Sequence, residues 1–167
     1  MSRWRPPREK STPIITPEGF AKLEQELKNL WAKRRIVNDA LAAAAAEGDR
    51  SENAEYIYRK KEQAGIDSRI RYLQKRIPDL QIVDRVADSS KVFFGAKLKL
   101  EKLDSEGNYV EVNYRIVGPD ETNTQNGDIS IDSPLAKMLL KKEIDDEVSI
   151  KIENQEVIYT VLAISYI

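Results

Sequence analysis

The apolar positions of the chain begin with one long helical pattern. They recur every three or four residues, the spacing that places side chains on one face of a helix. Thr16 suits an N-cap, Pro17 suits the first helical position, and Gly48 suits the turn after the last one. We therefore expect a helix of about 30 residues, roughly 45 Å long. Its stripe, apolar except at Arg34, consists of Phe20, Leu23, Leu27, Leu30, Arg34, Val37, Leu41 and Ala44.

A second helical pattern follows after a short interruption. It extends from about Ser51 to Ile77, and Pro78 marks its end because a proline disfavours helix for the residue before it. Its apolar stripe is clearest at Ile66, Ile70, Leu73 and Ile77. Two helices of similar length joined by a few residues predict an antiparallel coiled-coil hairpin, which we place at residues 14–78.

Beyond Pro78 the pattern changes to short runs that favour strands. They are "KVFFGAKLKLEKL", "NYVEVNYRIVG", "DISI", "EVSIKI" and "EVIYTVLAISYI", separated by turn signals such as "SEGN" and "QNGD". One short helix is predicted in "SPLAKMLLKK", with Ser133 as N-cap and Pro134 in the first position. The sequence thus predicts an α+β fold, in which the hairpin precedes an antiparallel sheet with one short helix at residues 79–167.

Composition narrows the possible chemistry. The 167 residues contain neither cysteine nor histidine, so a disulfide framework, a thiolate metal site and a histidine base are all excluded. Apolar runs are too short for a membrane span, and the basic start lacks the apolar segment of a signal peptide. We expect a soluble, cytoplasmic protein. Residues 1–13, rich in arginine and proline, are expected to form a disordered basic tail.

Charge is distributed unevenly along the chain. Residues 1–78 hold 17 Lys and Arg against 11 Asp and Glu, whereas residues 79–167 hold 10 against 17. This asymmetry suggests two surfaces with different partners, the first near nucleic acid and the second near a basic protein face.

The stretch "AEGDRSENAEYIY" concentrates acid at the turn between the helices. Its carboxylates belong to Glu47, Asp49, Glu52 and Glu55. Asp49 and Glu52 have the spacing of a capping box, which would explain both without any function. The alternative is a metal site, but two exposed carboxylates would bind Mg²⁺ only weakly unless another molecule supplied the remaining ligands.

Basic and aromatic residues flank this turn. Arg34, Arg59, Lys60 and Lys61 are candidates for contacts with RNA phosphates, and a solvated helix face is the alternative. Tyr56 and Tyr58 are candidates for stacking on a base, although packing against the facing helix is the more common role of such tyrosines.

Four segments together resemble the bacterial transcript cleavage factors of the GreA/GreB family. They are "ITPEGFAKLEQELKNLW" at 15–31, "GDRSENAEY" at 48–56, "VFFGAKLKL" at 92–100 and "ISIDSPLAKMLLKKE" at 129–143. Details such as "LW", "DRSENAEYIY" and "KVFFGA" are more similar to the GreB branch than to the GreA branch. The resemblance begins at about residue 14, and we expect no counterpart for residues 1–13.

The resemblance implies a function that composition does not. Members of the family insert their coiled coil into the secondary channel of RNA polymerase and stimulate the polymerase's own cleavage of backtracked RNA. Asp49 and Glu52 match the tip acids thought to help hold a weakly bound Mg²⁺ shared with the polymerase; no tightly bound cofactor is implied. Arg34, Arg59, Lys60 and Lys61 would contact the 3′ end of the nascent RNA.

The resemblance also implies a role for the second half of the chain. Its sheet domain would have an FKBP-like fold and would dock on a coiled coil of the polymerase largest subunit. The docking residues would be Asp132, Ser133, Pro134 and Leu135. On this interpretation the chain is a monomer and is not itself an enzyme.

Three alternatives remain open at this point. A regulator that enters the same channel without promoting cleavage is one, although intact Asp49 and Glu52 argue against it. A free-standing nuclease is disfavoured, because two exposed carboxylates without histidine cannot assemble two metals. A self-associating coiled-coil adaptor is disfavoured by Arg34 in the stripe and by the polar stretch at residues 59–63.

Overall fold

The computed structural model describes residues 9–48 and 52–166 in two compact units. One unit is Glu18–Leu80, and the other combines the residues up to Pro17 with the chain from Gln81 onward. We expected residues 14–17 to belong to the hairpin. They group with the second unit instead, because strand β1 (Ile14–Ile15) pairs in parallel with strand β2 (Gln81–Ile82).

The first unit is the predicted pair of helices. Helix α1 spans Pro17–Ala46, and helix α2 spans Ala54–Arg76 with a 3₁₀ turn at Ile77–Asp79 after it. Both helices are confirmed, but α2 begins three residues later than predicted. Its N-cap is Asn53, whose side chain accepts a hydrogen bond from the Tyr56 N–H at 3.1 Å.

Apolar and polar layers alternate where the two helices face each other. Val37, Ile66 and Ile70 form a buried cluster, against which Leu27 and Leu30 pack. Three polar pairs join the helices, and their residue numbers rise on one helix as they fall on the other, so the helices are antiparallel. The pairs are Glu26 with Arg69 at 2.6 and 3.0 Å, Arg34 with Asp67 at 2.5 Å, and Asn38 with Gln63 at 2.7 Å.

The second unit contains a five-stranded sheet in the order β5-β4-β3-β7-β6. Its strands are β3 (Lys97–Leu103), β4 (Tyr109–Val117), β5 (Asp128–Ser130), β6 (Glu147–Ile152) and β7 (Gln155–Ser165). Neighbours are antiparallel except β4 and β5, which run parallel. The prediction of a purely antiparallel sheet is therefore wrong at that edge. Alternating apolar residues mark the faces of a strand and not its direction.

One face of the sheet carries the core of this unit. Leu100 lies opposite Val112 of β4 and Val161 of β7, and it is fully buried. Helix α3 (Pro134–Leu139) covers this face with Ala136 and Leu139, both also fully buried. The predicted α+β fold, with two N-terminal helices followed by a sheet and one short helix, is confirmed.

The segment before α1 is tied to two loops of the sheet unit. The backbone N–H and hydroxyl of Thr12 both donate to the Asp132 carboxylate, with an N–O distance of 2.9 Å. Thr16 binds the Glu121 carboxylate in the same way, at 3.0 Å from its N–H. These contacts contradict a disordered tail that extends to residue 13. Residues 1–8 lie outside the described residues.

Gly118 makes this arrangement possible. A Cβ atom at that position would collide with the backbone carbonyl oxygen of Ile14. Glycine is therefore required where the N-terminal segment passes the loop after β4. None of the helices in residues 9–48 and 52–166 combines the length and apolar character of a membrane span.

Candidate functional site

The tip of the hairpin is the first candidate site. Helix α1 ends at Ala46, and Gly48 takes a φ of 134°, which L side chains rarely adopt. Glu52 lies in the turn, is exposed, and directly precedes the cap residue Asn53. Asp49, the other predicted tip acid, lies outside the described residues.

The structure changes the interpretation of Glu52. A capping box requires its acid at the third helical position, which here belongs to Tyr56. The predicted capping box of Asp49 and Glu52 is therefore wrong, and the amide of Asn53 performs the capping. The Asn53 Nδ2 also donates to the Ala44 carbonyl at 2.7 Å, so one side chain closes both helix ends. Capping does not account for Glu52.

Carboxylate oxygen is the donor type that Mg²⁺ prefers, so Glu52 has suitable chemistry for a magnesium ligand. Its surroundings do not complete a site. No group of three acidic residues placed to hold a metal exists in residues 9–48 and 52–166. The described part of the tip thus fits one or two positions of a coordination shell and leaves the others to another molecule.

Two of the four predicted RNA contacts are already bound within the hairpin. Arg34 pairs with Asp67 of the facing helix, and both side chains are about one third exposed, at 34% and 33%. Arg59 pairs with Glu55 at 2.8 Å and with Glu62 at 3.0 Å. The structure therefore surrounds Arg34 and Arg59 with carboxylates, which compete with RNA phosphate for these guanidinium groups.

The shifts in pKa agree with this pairing. Hydrogen bonds from Arg59, followed by one from Lys33, lower the pKa of Glu62 below its ordinary value. Hydrogen bonds to Glu55 and then Glu62 raise the pKa of Arg59. Lys33 lies 3.4 Å from Glu62, which completes a surface network of both signs. Such exposed pairs stabilise weakly but keep these groups charged.

Lys60 and Lys61 differ from the two arginines. Both are exposed, and the Lys60 Nζ lies 3.4 Å from the Gln63 Oε1. The structure therefore divides the four predicted residues into two arginines paired with carboxylates and two exposed lysines. Of the four, it leaves the two lysines directed toward solvent.

A groove near the tip was missed by the sequence analysis. It has a volume of about 270 Å³ and is lined by Asn38, Leu41, Ala42, Ala45, Tyr56 and Gln63. Tyr56 is half-buried there, whereas the Tyr58 side chain is 60% exposed and lies under the Arg59 guanidinium. The sequence contains the small alanines, the two carboxamides and the tyrosine that form the groove. Recognising that they line one groove requires knowing how the two helices are aligned.

The predicted docking segment at the start of α3 has clear structural roles. The Ser133 hydroxyl caps α3 by accepting from the Ala136 N–H at 3.3 Å, and Pro134 follows as predicted. Leu135, expected to contact the polymerase, is half-buried and packs against the sheet core. Asp132 accepts both hydrogen bonds from Thr12. Met138, which the sequence analysis did not select, is 40% exposed on the same helix.

Comparisons with known proteins agree with this architecture. The family described as "Transcription elongation factor, N-terminal" matches residues 13–82, and "Transcription elongation factor, GreA/GreB, C-term" matches residues 87–166. A relative named transcription elongation factor GreB from Xanthomonas axonopodis pv. citri is 55% identical, covering 99% of this chain and 98% of the relative. The protein of that name from Pseudomonas aeruginosa is 52% identical with the same coverage.

A solved structure, the Gfh1 protein of Thermus aquaticus, is 20% identical with a TM-score of 0.42, covering 93% of this chain and 99% of that one. The two family matches and the full-length relatives define the class as transcription elongation factors. This chain belongs to the GreA/GreB family, and the predicted similarity to its GreB branch is confirmed. Because these relatives cover 99% of the chain, the expectation that residues 1–13 have no counterpart is wrong.

Proposed function

We propose that this chain binds bacterial RNA polymerase and stimulates the polymerase's own Mg²⁺-dependent cleavage of backtracked nascent RNA. The hairpin enters the secondary channel, and shortening of the RNA rescues the arrested complex. The chain contributes side chains to the polymerase active site and performs no hydrolysis alone. It acts as a monomer in the cytoplasm, which is the compartment of the polymerase.

The observation that carries the proposal is the position of Glu52. This carboxylate is exposed at the end of the hairpin, one residue before the cap, and helix capping does not require it. An exposed acid at the end of two helices is placed to reach a site on another molecule. Helix α1 alone contains 30 residues, which gives the hairpin a length of about 45 Å.

The chemistry follows from the donor type. Glu52, together with Asp49, would supply carboxylate oxygens to an Mg²⁺ whose other ligands belong to the polymerase. Mg²⁺ bound in this way supplies Lewis-acid stabilisation for hydrolysis of a phosphodiester. The role of this chain's residues is to add negative oxygens at a weak metal position and thereby raise its occupancy.

The flanking surfaces have supporting roles in the proposal. Lys60 and Lys61 contact phosphates of the extruded RNA, because both are exposed and neither is held in an ion pair in the described residues. Arg34 and Arg59 contribute to RNA binding only if the RNA displaces their carboxylate partners. The segment Asp132–Leu135 docks on the coiled coil of the polymerase largest subunit.

The test is transcript cleavage by a purified, backtracked elongation complex with Mg²⁺ present. We expect the wild-type chain to shorten the RNA. Asp49→Asn and Glu52→Gln should each remove most of this stimulation while polymerase binding stays nearly unchanged. The matched control is Glu47→Gln, which removes an exposed acid on the α1 side of the same turn.

Two results would contradict the proposal. Unchanged cleavage in both tip variants would remove the metal role. A wild-type chain that binds polymerase and alters run-off transcription without shortening the RNA would instead support a channel-binding regulator.

A further inference from the structure

The groove near the tip has a lining that combines three kinds of group. Tyr56 supplies an aromatic ring, Ala42 and Ala45 supply small apolar side chains, and Asn38 and Gln63 supply carboxamides. Its volume of about 270 Å³ lies just below the range of pockets for drug-sized molecules. A group of the size of one nucleobase is therefore the right scale of occupant.

The carboxamides point to an occupant with polar edges. The Gln63 Nε2 donates to the Asn38 Oδ1 at 2.7 Å, which fixes the orientation of both amides. Each amide retains further hydrogen-bonding capacity, because Asn38 Nδ2 carries two hydrogens and Gln63 Oε1 has two lone pairs. An apolar side chain placed here would cover these groups without satisfying them, at a cost in free energy. The edge of a nucleobase offers both donors and acceptors.

Charge at the rim favours a nucleotide over a neutral ligand. The Lys60 ammonium lies 3.4 Å from the Gln63 Oε1, so a cation stands beside the carboxamide pair. A phosphate attached to a base in the groove would find Lys60 within reach. Arg59 and Lys61, its neighbours in sequence, do not line the groove.

We propose that this groove binds one unpaired nucleobase of single-stranded RNA. The base stacks on Tyr56, its edge meets the Asn38 and Gln63 carboxamides, and its phosphate pairs with Lys60. The inference rests on the proposed function, since the extruded nascent RNA is the natural source of such a base. It adds base recognition to a surface that would otherwise contact phosphate alone.

The first test uses NMR on the isotopically labelled full chain. The probes are a single-stranded RNA tetranucleotide and an abasic tetranucleotide with the same sugar-phosphate backbone. We expect the RNA to shift the side-chain NH₂ signals of Asn38 and Gln63, and the abasic probe to leave them in place. Equal shifts with both probes, or none with the RNA, would overturn base recognition.

The second test uses matched variants. Ala42 and Ala43 are both exposed in α1, but only Ala42 lines the groove. Leucine is nearly as good a helix former as alanine, so neither Ala42→Leu nor Ala43→Leu should unfold the hairpin. We expect Ala42→Leu to weaken RNA tetranucleotide binding at least about fivefold, the lower end of the effect of losing one stacked base, and Ala43→Leu to change it less than about twofold.

Lysine variants provide the same contrast for the phosphate. Lys60→Gln should weaken binding of the RNA tetranucleotide more than Lys61→Gln does. Equal affinities in the two leucine variants would contradict the groove, and equal losses in the two lysine variants would contradict the pairing of its phosphate with Lys60. Circular dichroism of each variant confirms that the helices are retained.

The transcript cleavage assay separates this inference from the proposed function. If the wild-type chain stimulates cleavage but RNA and abasic probe behave alike, only the nucleobase groove is wrong. If base-dependent binding is observed while the wild-type chain does not stimulate cleavage, the groove is supported and the proposed function fails.

Discussion

The two units of the chain are stabilised in different ways. In the described part of the sheet unit, eleven buried residues form one continuous apolar cluster around β3 and α3. In the described part of the hairpin, the apolar cluster of Val37, Ile66 and Ile70 lies beside the polar pair of Arg34 with Asp67, and the polar pair of Asn38 with Gln63 lies nearer the tip. The sheet unit is therefore built around a packed apolar core. The hairpin is narrow, and the alignment of its two helices depends on polar contacts.

This difference matches what each unit is proposed to do. A docking surface benefits from a rigid core beneath it, and Leu135 packs on that core while Met138 stays exposed. A hairpin that enters a channel must be slim, and alanines near the tip keep it so. The thin apolar layer has a consequence, because a groove is open beside Tyr56 where larger side chains would have filled the space.

The largest expected effect comes from the sheet core. Leu100 is fully buried on the central strand β3, between β4 and β7. Leu100→Ala should lower the free energy of unfolding of the sheet unit by about 2–5 kcal/mol, because it removes buried methyl groups and leaves a cavity. The matched change in the hairpin, Ile70→Ala, should fall at the low end of that range because water can reach the space more easily. Amide hydrogen exchange in β3 and α2 measures the two effects separately.

An equal or larger loss of protection in α2 with Ile70→Ala would contradict the contrast. It would mean that the small apolar cluster, and not the polar pairs, dominates the stability of the hairpin. A valid comparison requires native circular dichroism for both variants at low temperature.

Local signals in the sequence predicted the elements well. Pro17 and the pair Ser133–Pro134 begin helices as expected, because helix starts depend on residues that are neighbours in sequence. The start of α2 was placed too early, because Asp49 and Glu52 have capping-box spacing while Asn53 has the backbone conformation and the hydrogen bond of the actual cap. When two nearby residues could each cap a helix, the three-dimensional structure is needed to show which one does.

Contacts between distant residues were beyond the reach of the sequence. Thr12 and Asp132 are separated by 120 positions, and Thr16 and Glu121 by 105. No periodicity encodes such pairs. For the same reason the sequence did not reveal that Arg34 is paired, since Asp67 lies 33 positions away. The partners of Arg59 could have been found from helix periodicity, because Glu55 and Glu62 lie four residues before it and three after it. The sequence correctly predicted that Glu52 is exposed, but it did not show that Glu52 takes no part in capping α2.

A smaller effect is expected where the N-terminal segment meets the loop before α3. Thr12→Val removes the hydroxyl bond to the Asp132 carboxylate and should cost the sheet unit about 1–2 kcal/mol, since this bond has a charged acceptor. Thr122→Val is the matched control, because the exposed Thr122 hydroxyl bonds only a neutral carbonyl, that of Pro119, at 3.1 Å. Chemical denaturation followed by far-UV circular dichroism measures the stability of both variants.

Polymerase binding by the same variants tests whether Asp132 is a docking residue or a structural one. If Asp132→Asn and Thr12→Val weaken binding equally, Asp132 acts by holding its loop in place. If only Asp132→Asn weakens binding, its carboxylate contacts the polymerase directly. Equal stability of Thr12→Val and Thr122→Val would contradict the structural role of the threonine.

The smallest expected effect concerns the polar pair inside the hairpin. Arg34 and Asp67 are each about one third exposed, at 34% and 33%, and they extend the layer formed by Val37 and Ile66. Arg34→Leu or Asp67→Leu alone should destabilise the hairpin by about 1 kcal/mol, because each leaves one half-buried charge without its partner. Changing both to leucine should restore the wild-type stability or exceed it by less than about 1 kcal/mol, since the two side chains would then join the apolar cluster.

The sign of the coupling between Arg34 and Asp67 decides how the comparison between the units is to be understood. A double variant at least as stable as wild type means that the polar pair sets the pairing of the helices at no gain in stability, and the hairpin is held by its apolar layer alone. A double variant that loses as much as the two single variants together means that the ion pair itself stabilises the hairpin.

Thermal unfolding gives the stabilities, and the NH₂ signals of Asn38 and Gln63, one turn nearer the tip, report whether the register is kept. A shift of those signals in the double variant, with stability retained, would show that the charged pair is needed for register, and such a hairpin would lose the geometry of its groove before it lost its fold.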